Sequence, residues 1–263
     1  MDINDLKRNL QGLPIYDLKY FESVGSTNDI AMDWALDGAR DYSLVFADKQ
    51  TSGRGRLGRK WVTTPGSAIA FSLIISPSEQ EINSITLFSP LGALAISEAL
   101  NNLYGLKTEI KWPNDVLYKR SKFSGILVET SWLNNQIEGI IIGIGINILP
   151  GSIPPDDTLL YPATCVQDAV GKPVDRLEIL REIIQRIIYW RGKFNSPEFI
   201  NAWETKLAFK GEWVNIIQIK ENSKIMGKLL GIDNNGNLRL ESKTGDEILI
   251  NSGDLSLRPI EEM

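Results

Sequence analysis

The sequence contains no histidine and a single cysteine, Cys165. Without histidine, the chain cannot form a serine or cysteine nucleophile site that depends on an imidazole base. A zinc site is almost excluded as well, because one thiol cannot supply the ligands that zinc requires. A lone cysteine also excludes an intramolecular disulfide and is typical of a reducing compartment. Any chemistry must therefore depend on charge, on orientation and on metal ions that a ligand brings with it.

Long apolar runs are also absent. No stretch is long enough to cross a membrane, and the amino-terminal residues lack the apolar segment of a secretory signal. We therefore expect a cytoplasmic protein that has no membrane partner. The 263 residues, 43% hydrophobic and 23% charged, are ordinary for a folded protein with a full core. The formal net charge of −5 argues against a general affinity for nucleic acid.

Against this acidic background, one short segment is strongly cationic. Residues 53–61 read Gly-Arg-Gly-Arg-Leu-Gly-Arg-Lys-Trp, with four cations and three glycines in the first eight positions. Glycine lets the backbone approach a ligand closely, and arginine suits a planar carboxylate or a polyphosphate. We call residues 53–61 the Gly/Arg loop, and the pattern predicts that this loop binds an anion.

Two familiar anion-binding patterns do not fit the Gly/Arg loop. Its glycine spacing matches the dinucleotide fingerprint by letter, but that motif opens a helix, and residues 61–66 indicate a turn and a strand instead. The P-loop pattern fails because an arginine–lysine pair stands where lysine followed by serine or threonine is required. A nucleic-acid-binding loop, with Trp61 stacked on a base, stays open as an alternative, as does a solvated charged hairpin.

The rest of the main body alternates between helical and strand patterns. Ser26, with an acidic residue three places on, is expected to cap a helix, and Gly105 is expected to end one. Further helices are predicted at about 87–104 and 175–194, and strands at 43–47, 68–75, 123–130 and 136–148. Pro113, followed by Asn-Asp, predicts a turn at a strand end. This mixture indicates an α+β fold with a mixed central sheet and flanking helices.

The pattern changes after about residue 207. Short strands are predicted over 213–219, 224–232, 238–242 and 247–250, separated by turns rich in asparagine and glycine. Closely spaced strands of this length predict a small SH3-like β-barrel. We therefore expect a main domain over residues 1–207, in which 1–20 form a leader, and a second domain over residues 208–263.

Five motifs occur together in one order. Ser26-Thr27-Asn28 and the Gly/Arg loop are followed by Lys111-Trp-Pro-Asn-Asp115, Lys122-Phe-Ser-Gly-Ile-Leu-Val-Glu129 and Gly143-Ile-Gly-Ile-Asn147. In this order and approximate spacing, from about Glu22 to Arg258, the chain resembles the biotin–[acetyl-CoA-carboxylase] ligases. The resemblance implies their fold, which is similar to that of class II synthetases. It also implies ATP-dependent formation of biotinyl-5′-AMP and transfer of biotin to a lysine of a biotin carboxyl carrier domain.

The resemblance also implies roles for individual residues. Contacts to biotin are expected from Ser26, Thr27, Gln50, Gly53, Arg54, Arg56, Lys122, Gly125 and Gly143. Contacts to ATP are expected from Arg56, Arg59, Trp61, Lys111, Asn114, Asp115, Lys122 and Asn147. The expected catalytic residues are Arg56, Lys111 and Lys122. Asp115 is expected to meet Mg²⁺ directly or through water, and the Gly/Arg loop is expected to order over bound ligand.

The resemblance is to the short form of this family. Because the Ser-Thr-Asn element begins at residue 26, it leaves no room for the amino-terminal DNA-binding domain of the long forms. We therefore expect no DNA partner, and the sequence leaves a homodimer open.

Two rival functions are weighed against this one. A lipoate or octanoate ligase of the same fold is the first, although the loop of those families typically contains a histidine. A non-catalytic nucleic-acid-binding module that uses the Gly/Arg loop is the second. It predicts a basic domain, which disagrees with the net charge of −5.

Overall fold

The computed structural model describes residues 2–62, 64–153, 161–218, 223–251 and 255–259. Its helices are α1 (Ile3–Asn9), α2 (Thr27–Leu36), α3 (Glu79–Ile82), α4 (Phe88–Tyr104), α5 (Val166–Val170), α6 (Arg176–Arg191) and α7 (Pro197–Glu204). Its strands are β1 (Leu18–Phe21), β2 (Leu44–Ala47), β3 (Ala68–Ile75), β4 (Glu109–Lys111), β5 (Asp115–Tyr118), β6 (Ser121–Leu133), β7 (Gln136–Asn147), β8 (Trp213–Gln218), β9 (Ser223–Ile232), β10 (Leu238–Glu241), β11 (Glu247–Ile250) and β12 (Leu255–Pro259). None of the helices in these ranges combines the length and the apolar character needed to cross a lipid bilayer.

The main body is built on one mixed sheet with the strand order β1-β2-β3-β7-β6-β5-β4. β1 pairs with β2 in parallel, and the other neighbouring strands of this sheet are antiparallel. Successive side chains of a strand point to opposite faces. On β2, Leu44 and Phe46 join the large core formed with α4 and α6, whereas Val45 packs with Ala31 of α2 on the other face. This arrangement confirms the predicted α+β class.

Local sequence explains where the longer helices begin and end. α4 ends at Gly105, whose φ of 66° is left-handed, as the glycine at this position predicts. α6 begins after Asp175, whose carboxylate accepts hydrogen bonds from the amides of Leu177 at 2.7 Å and Glu178 at 3.3 Å. Ser26 takes the predicted N-cap position of α2, but its hydroxyl makes no capping bond to the described backbone of that helix.

The first twenty residues, which were expected to form a leader, contain α1 and all but the last residue of β1. Asp2 and Asp5 form a capping box at the start of α1, and Leu6 is fully buried in the main core. β1 adds an outer strand next to β2. α7, which the sequence analysis did not predict, buries Trp203. Helices of seven or eight residues show too little of the helical period to be recognised from their apolar spacing.

The carboxy-terminal strands form a second sheet in the order β11-β10-β9-β8-β12, and all its neighbouring strands are antiparallel. This sheet bears out the expected SH3-like fold, whereas the division of the chain after residue 207 stays a prediction. The β9–β10 turn packs on the main body. The indole Nε1 of Trp112 donates a hydrogen bond to the carbonyl oxygen of Gly236 at 3.0 Å. A Cβ on Gly236 would lie only 2.7 Å from the ring of Trp203.

The packing of this turn can be tested with two matched glycine substitutions. Gly236 and Gly245 have similar left-handed φ values, 78° and 88°, but only Gly236 has atoms within 4 Å of an added Cβ. We expect Gly236→Ala to lower the free energy of unfolding by about 3 kcal/mol, through backbone strain and overpacking together. Gly245→Ala should cost only about 1 kcal/mol, through strain alone. Equal losses in urea unfolding would contradict this close packing.

Candidate active site

A pocket of about 120 Å³ lies where the Gly/Arg loop, the start of α2 and strands β4 to β7 meet. Most of the residues that the sequence analysis assigned to ligand binding line this pocket. They are Ser26, Thr27, Gln50, Arg54, Arg56, Arg59, Trp61, Lys111, Asn114, Asp115, Lys122, Gly125 and Gly143. They are far apart in the sequence, and the pairing of neighbouring strands brings them together.

Gly53 and Asn147 are the predicted site residues that are not part of this lining. The carbonyl oxygen of Gly53 accepts a hydrogen bond from the amide of Trp61 at 2.9 Å, and a Cβ on Gly53 would lie 2.4 Å from the Trp61 carbonyl oxygen. Gly53 therefore lets the loop close on itself. The side chain of Asn147 is buried and donates to the carbonyl oxygen of Thr164 at 3.3 Å. The expected ligand contacts of these two residues stay predictions.

One end of the pocket is neutral and rich in hydrogen bonds. The amide of Thr27 donates to Oε1 of Gln50 at 2.8 Å, and its hydroxyl lies 3.1 Å from the same oxygen. The hydroxyl of Ser72 lies 2.8 Å from Oγ1 of Thr27 and 2.6 Å from Oδ1 of Asn28. Ser26, Thr27 and Asn28 are buried. Buried polar groups need hydrogen-bond partners, so this end suits a neutral ligand group with both donors and acceptors.

The floor of the pocket is formed by glycines on β6 and β7. Gly125 and Gly145 face each other in the strand register, and Gly143 lies two residues before Gly145. A Cβ on Gly143 would lie 2.1 Å from Oδ1 of Asn28, and a Cβ on Gly145 would lie 2.3 Å from the ring of Trp61. The spaced glycines of β7 are therefore required for the close approach of these two side chains.

The other end of the pocket is cationic. Oδ1 of Asp115 lies 2.6 Å from Nζ of Lys122, and Oδ2 lies 3.9 Å from Nζ of Lys111. The side chain of Lys111 is only 3% exposed. The register of β4 and β5 places Lys111 directly opposite Asp115. Arg56 reaches the same region from the Gly/Arg loop, because its guanidinium donates to Oδ1 of Asn114 at 3.3 Å.

Asp115 sets the electrostatics of this end. Burial alone would raise the pKa of Asp115, but the charges of Lys122, Lys111 and Arg56 hold it below its ordinary value of 3.8. Asp115 is therefore ionised at neutral pH and balances part of the surrounding positive charge. The ammonium of Lys111 also lies 4.1 Å from the centre of the Tyr161 ring, a favourable cation–π distance. Three cations beside one carboxylate leave an excess of positive charge that suits a carboxylate or phosphate ligand.

Glu129, Asn28 and Ser72 contact residues of the pocket, but the sequence analysis gave them no role. The guanidinium of Arg54 donates to both oxygens of Glu129, at 2.7 and 2.9 Å, and to Asp29 at 2.5 Å. Asn28 donates to Glu129 at 2.7 Å. Glu129 and Asn28 each close a motif of the sequence, and Ser72 is the polar residue of the otherwise apolar strand β3. The place of Glu129 and Asn28 at the ends of their motifs, and of Ser72 in an apolar strand, could have identified these three residues from the sequence.

The residues of the pocket fit a magnesium ion that arrives with a polyphosphate. Asp115 is the acidic side chain of the described lining, and its two oxygens face lysines. Within the ranges that the structure describes, no group of three or more acidic, cysteine or histidine side chains offers a metal site. Mg²⁺ usually keeps several waters and binds one or two carboxylates together with substrate phosphates. A single nearby carboxylate is compatible with that behaviour.

Two known protein families match this chain, one in the main body and one in the carboxy-terminal strands. The family described as "Biotin/lipoate A/B protein ligase family" matches residues 20–147. The domain described as "Biotin protein ligase C terminal domain" matches residues 211–258.

Individual proteins are similar over most of the chain. The biotin–[acetyl-CoA-carboxylase] ligase of Paracoccus denitrificans is 33% identical over 85% of this chain and 94% of its own length. The bifunctional ligase/repressor BirA of Bacillus subtilis is 34% identical over 91% of this chain and 74% of its own length. The structure of the biotin protein ligase from Aquifex aeolicus in complex with biotin and ATP superposes with a TM-score of 0.82 and 32% identity. That match covers 94% of this chain and 100% of the Aquifex chain.

The role of Asp115 predicts a defined pH dependence of stability. Because its pKa is lower in the folded chain than the ordinary 3.8, its ion pairs stabilise the fold above that value. The contribution is lost as the pH falls through the lower folded-state pKa. We expect Asp115→Asn to lower the free energy of unfolding at pH 7 by about 3 kcal/mol, because it removes the counter-charge of the buried Lys111 and of Lys122.

The matched control is Asp17→Asn, which breaks the exposed ion pair with Arg40 and should change stability little. Urea unfolding of both variants and the wild type from pH 7 to pH 3 makes the comparison. The difference in the free energy of unfolding between wild type and Asp115→Asn should decrease only below about pH 4. If this difference disappears between pH 7 and pH 5, Asp115 does not have this role.

Proposed function

Since this chain belongs to the biotin protein ligase family, we propose that it activates biotin with ATP and transfers it to a lysine of a biotin carboxyl carrier domain. One observation carries the proposal. A single pocket joins a neutral hydrogen-bonding end, at Thr27 and Gln50, to a cationic end, at Arg56, Lys111 and Lys122. Biotin has two complementary ends, a neutral ureido ring and an anionic carboxylate.

The neutral end would hold the ureido ring of biotin. A ring that both donates and accepts hydrogen bonds needs partners when it is buried, because each unpaired polar group costs about 1–3 kcal/mol. Ser26, Thr27 and Gln50 offer such partners. Gly125 and Gly143 lie in the pocket lining, and their expected contacts to biotin stay predictions.

The cationic end would promote the first chemical step. A carboxylate oxygen of biotin attacks the α-phosphorus of ATP, an oxygen–phosphorus bond forms, and the bond to the pyrophosphate breaks. The products are biotinyl-5′-AMP and pyrophosphate. Arg56, Lys111 and Lys122 would stabilise the charge that develops on the phosphoryl oxygens, and their fixed positions would align the reactants. Arg59, Trp61, Asn114 and Asn147 would hold the rest of the nucleotide.

The second step would transfer the biotinyl group to the carrier. The ε-amine of the acceptor lysine attacks the carbonyl carbon of the mixed anhydride, a carbon–nitrogen bond forms, and AMP leaves as the carbon–oxygen bond breaks. The proton of the amine passes to solvent or to the leaving phosphate. No residue of this chain needs to form a covalent intermediate, which agrees with the absence of histidine.

Mg²⁺ would enter this reaction as part of the ATP substrate and would offset the charge of its phosphates. Asp115 would hold it directly or through water. A homodimer, the absence of a DNA partner and a cytoplasmic location stay predictions.

Pure protein with MgATP, incubated separately with biotin, lipoate and octanoate, tests the reaction class. We expect pyrophosphate and an acyl-adenylate, identified by mass, with biotin alone. Added biotin carboxyl carrier domain should then gain the mass of one biotinyl group on a lysine. An adenylate with lipoate or octanoate and none with biotin would assign the chain to the other branch of its family. No adenylate with any of the three would refute a ligase.

A substitution in the cationic end tests the assignment of the phosphoryl chemistry. We expect Lys122→Gln to slow biotinyl-5′-AMP formation by about 100-fold, because a charge aimed at the developing oxyanion is lost. Biotin binding without ATP should weaken by less than about tenfold, because the neutral end is unchanged. Lys119→Gln, at an exposed lysine on the turn before the same strand, is the matched control and should behave as wild type. Equal rates for both variants would remove Lys122 from the reaction.

A further inference from the structure

Glu129 contacts two separate parts of the pocket lining, Arg54 and Asn28. It lies on β6, and its two carboxylate oxygens accept hydrogen bonds from both terminal nitrogens of Arg54, at 2.7 and 2.9 Å. One of these oxygens also accepts from Nδ2 of Asn28 at 2.7 Å. Arg54 belongs to the Gly/Arg loop and Asn28 to the first turn of α2, so one side chain ties the loop to the helix.

The connection continues from Asn28 to the neutral end of the pocket. Oδ1 of Asn28 lies 2.6 Å from the hydroxyl of Ser72, which lies 2.8 Å from Oγ1 of Thr27. Thr27 is in turn bonded to Gln50. Hydrogen bonds thus run without interruption from Arg54 of the loop to the groups that would hold the ureido ring.

Two carboxylates orient Arg54. It donates to Glu129 and Asp29, and its pKa is raised because these carboxylates outweigh the opposing effect of burial. The loop is also closed internally, since the amide of Gly55 donates to the carbonyl oxygen of Arg59 at 2.7 Å. The pairing of Arg54 therefore fixes the base of a loop whose tip carries Arg56.

We infer that Glu129 is a positioning residue that holds the Gly/Arg loop over the pocket through Arg54 and sets the neutral end through Asn28. Only a carboxylate can accept all three of these hydrogen bonds, because a glutamine amide would turn its own N–H groups toward one of the donors. Arg54 then acts as the anchor of the loop. The effect on the reaction rests on the proposed function, whereas the effect on the loop does not.

The loop is tested in the ligand-free protein. Glu129→Gln changes no trypsin site, and cleavage after Arg56, Arg59 and Lys60 can be followed by mass spectrometry. We expect this variant to be cut in the loop about tenfold faster than wild type, because charge-assisted hydrogen bonds that hold the loop are lost. The matched control is Glu212→Gln, which weakens the similar two-pronged pair with Arg120 outside the pocket. It should leave loop cleavage unchanged.

The reaction gives a second and independent readout. With biotin and MgATP, Glu129→Gln should release biotinyl-5′-AMP about tenfold faster than wild type and show a raised KM for biotin, while kcat changes less. Arg54→Gln should speed the release of biotinyl-5′-AMP to the same extent. The double variant should release it no faster than Glu129→Gln alone, because Arg54 holds the loop through Glu129.

Three results would overturn the inference. The first is loop cleavage at the wild-type rate in Glu129→Gln. The second is additive effects of the two substitutions on adenylate release. The third is a loss of overall stability, in urea unfolding, that fully accounts for the faster cleavage. If wild type itself forms no biotinyl-5′-AMP, the proposed function fails, and the cleavage experiment still decides the role of Glu129.

Discussion

The cationic end of this pocket depends on the electrostatic attraction between the ionised carboxylate of Asp115 and the cations around it. Lys111, Lys122 and Arg56 would repel one another, and the nearly buried ammonium of Lys111 would be costly without a counter-charge. One carboxylate between them reduces that cost and keeps all three in place. Because these partners come from β4, β5, β6 and the Gly/Arg loop, the charge cluster constrains how the strands pair as well as what the pocket binds.

The same segment connects the pocket to the second sheet. Trp112 lies between Lys111 and the turn that carries Asn114, and its indole donates to Gly236 of the β9–β10 turn. The side chains of Trp203 and Leu87 pack so closely on Gly236 that no side chain fits there. The β9–β10 turn of the carboxy-terminal sheet therefore packs against the segment between β4 and β5, next to Lys111 and Asp115. On β7, Gly143 admits Asn28 at the neutral end, and Gly145 admits the ring of Trp61, whose centre lies 5.6 Å from the ammonium of Lys122. Both ends of the pocket therefore depend on close approach to the backbone.

Much of this could be predicted because it follows from local patterns. The longer helices, the buried strands β3 and β7 and the left-handed Gly105 have direct signals in the sequence. The motif residues of the pocket were also predicted, since their order and spacing are those of the biotin protein ligases. Short elements such as α1 and α7 were not predicted, because they acquire their stability from burial of a few side chains against the main core.

The sequence by itself determined the chemistry that was available: cations and amides in place of histidine, one acidic residue within the Lys-Trp-Pro-Asn-Asp motif, and glycines where a side chain could not fit. Tertiary structure alone decided how these groups are paired. Arg54, whose expected contact to biotin stays a prediction, pairs with Glu129 and Asp29, and the lone serine of β3 joins Asn28 to Thr27. The physical reason is that a hydrogen bond or ion pair depends on distances of about 3 Å. Such distances between residues from separate strands and loops are set only when the sheet and the loop have packed together.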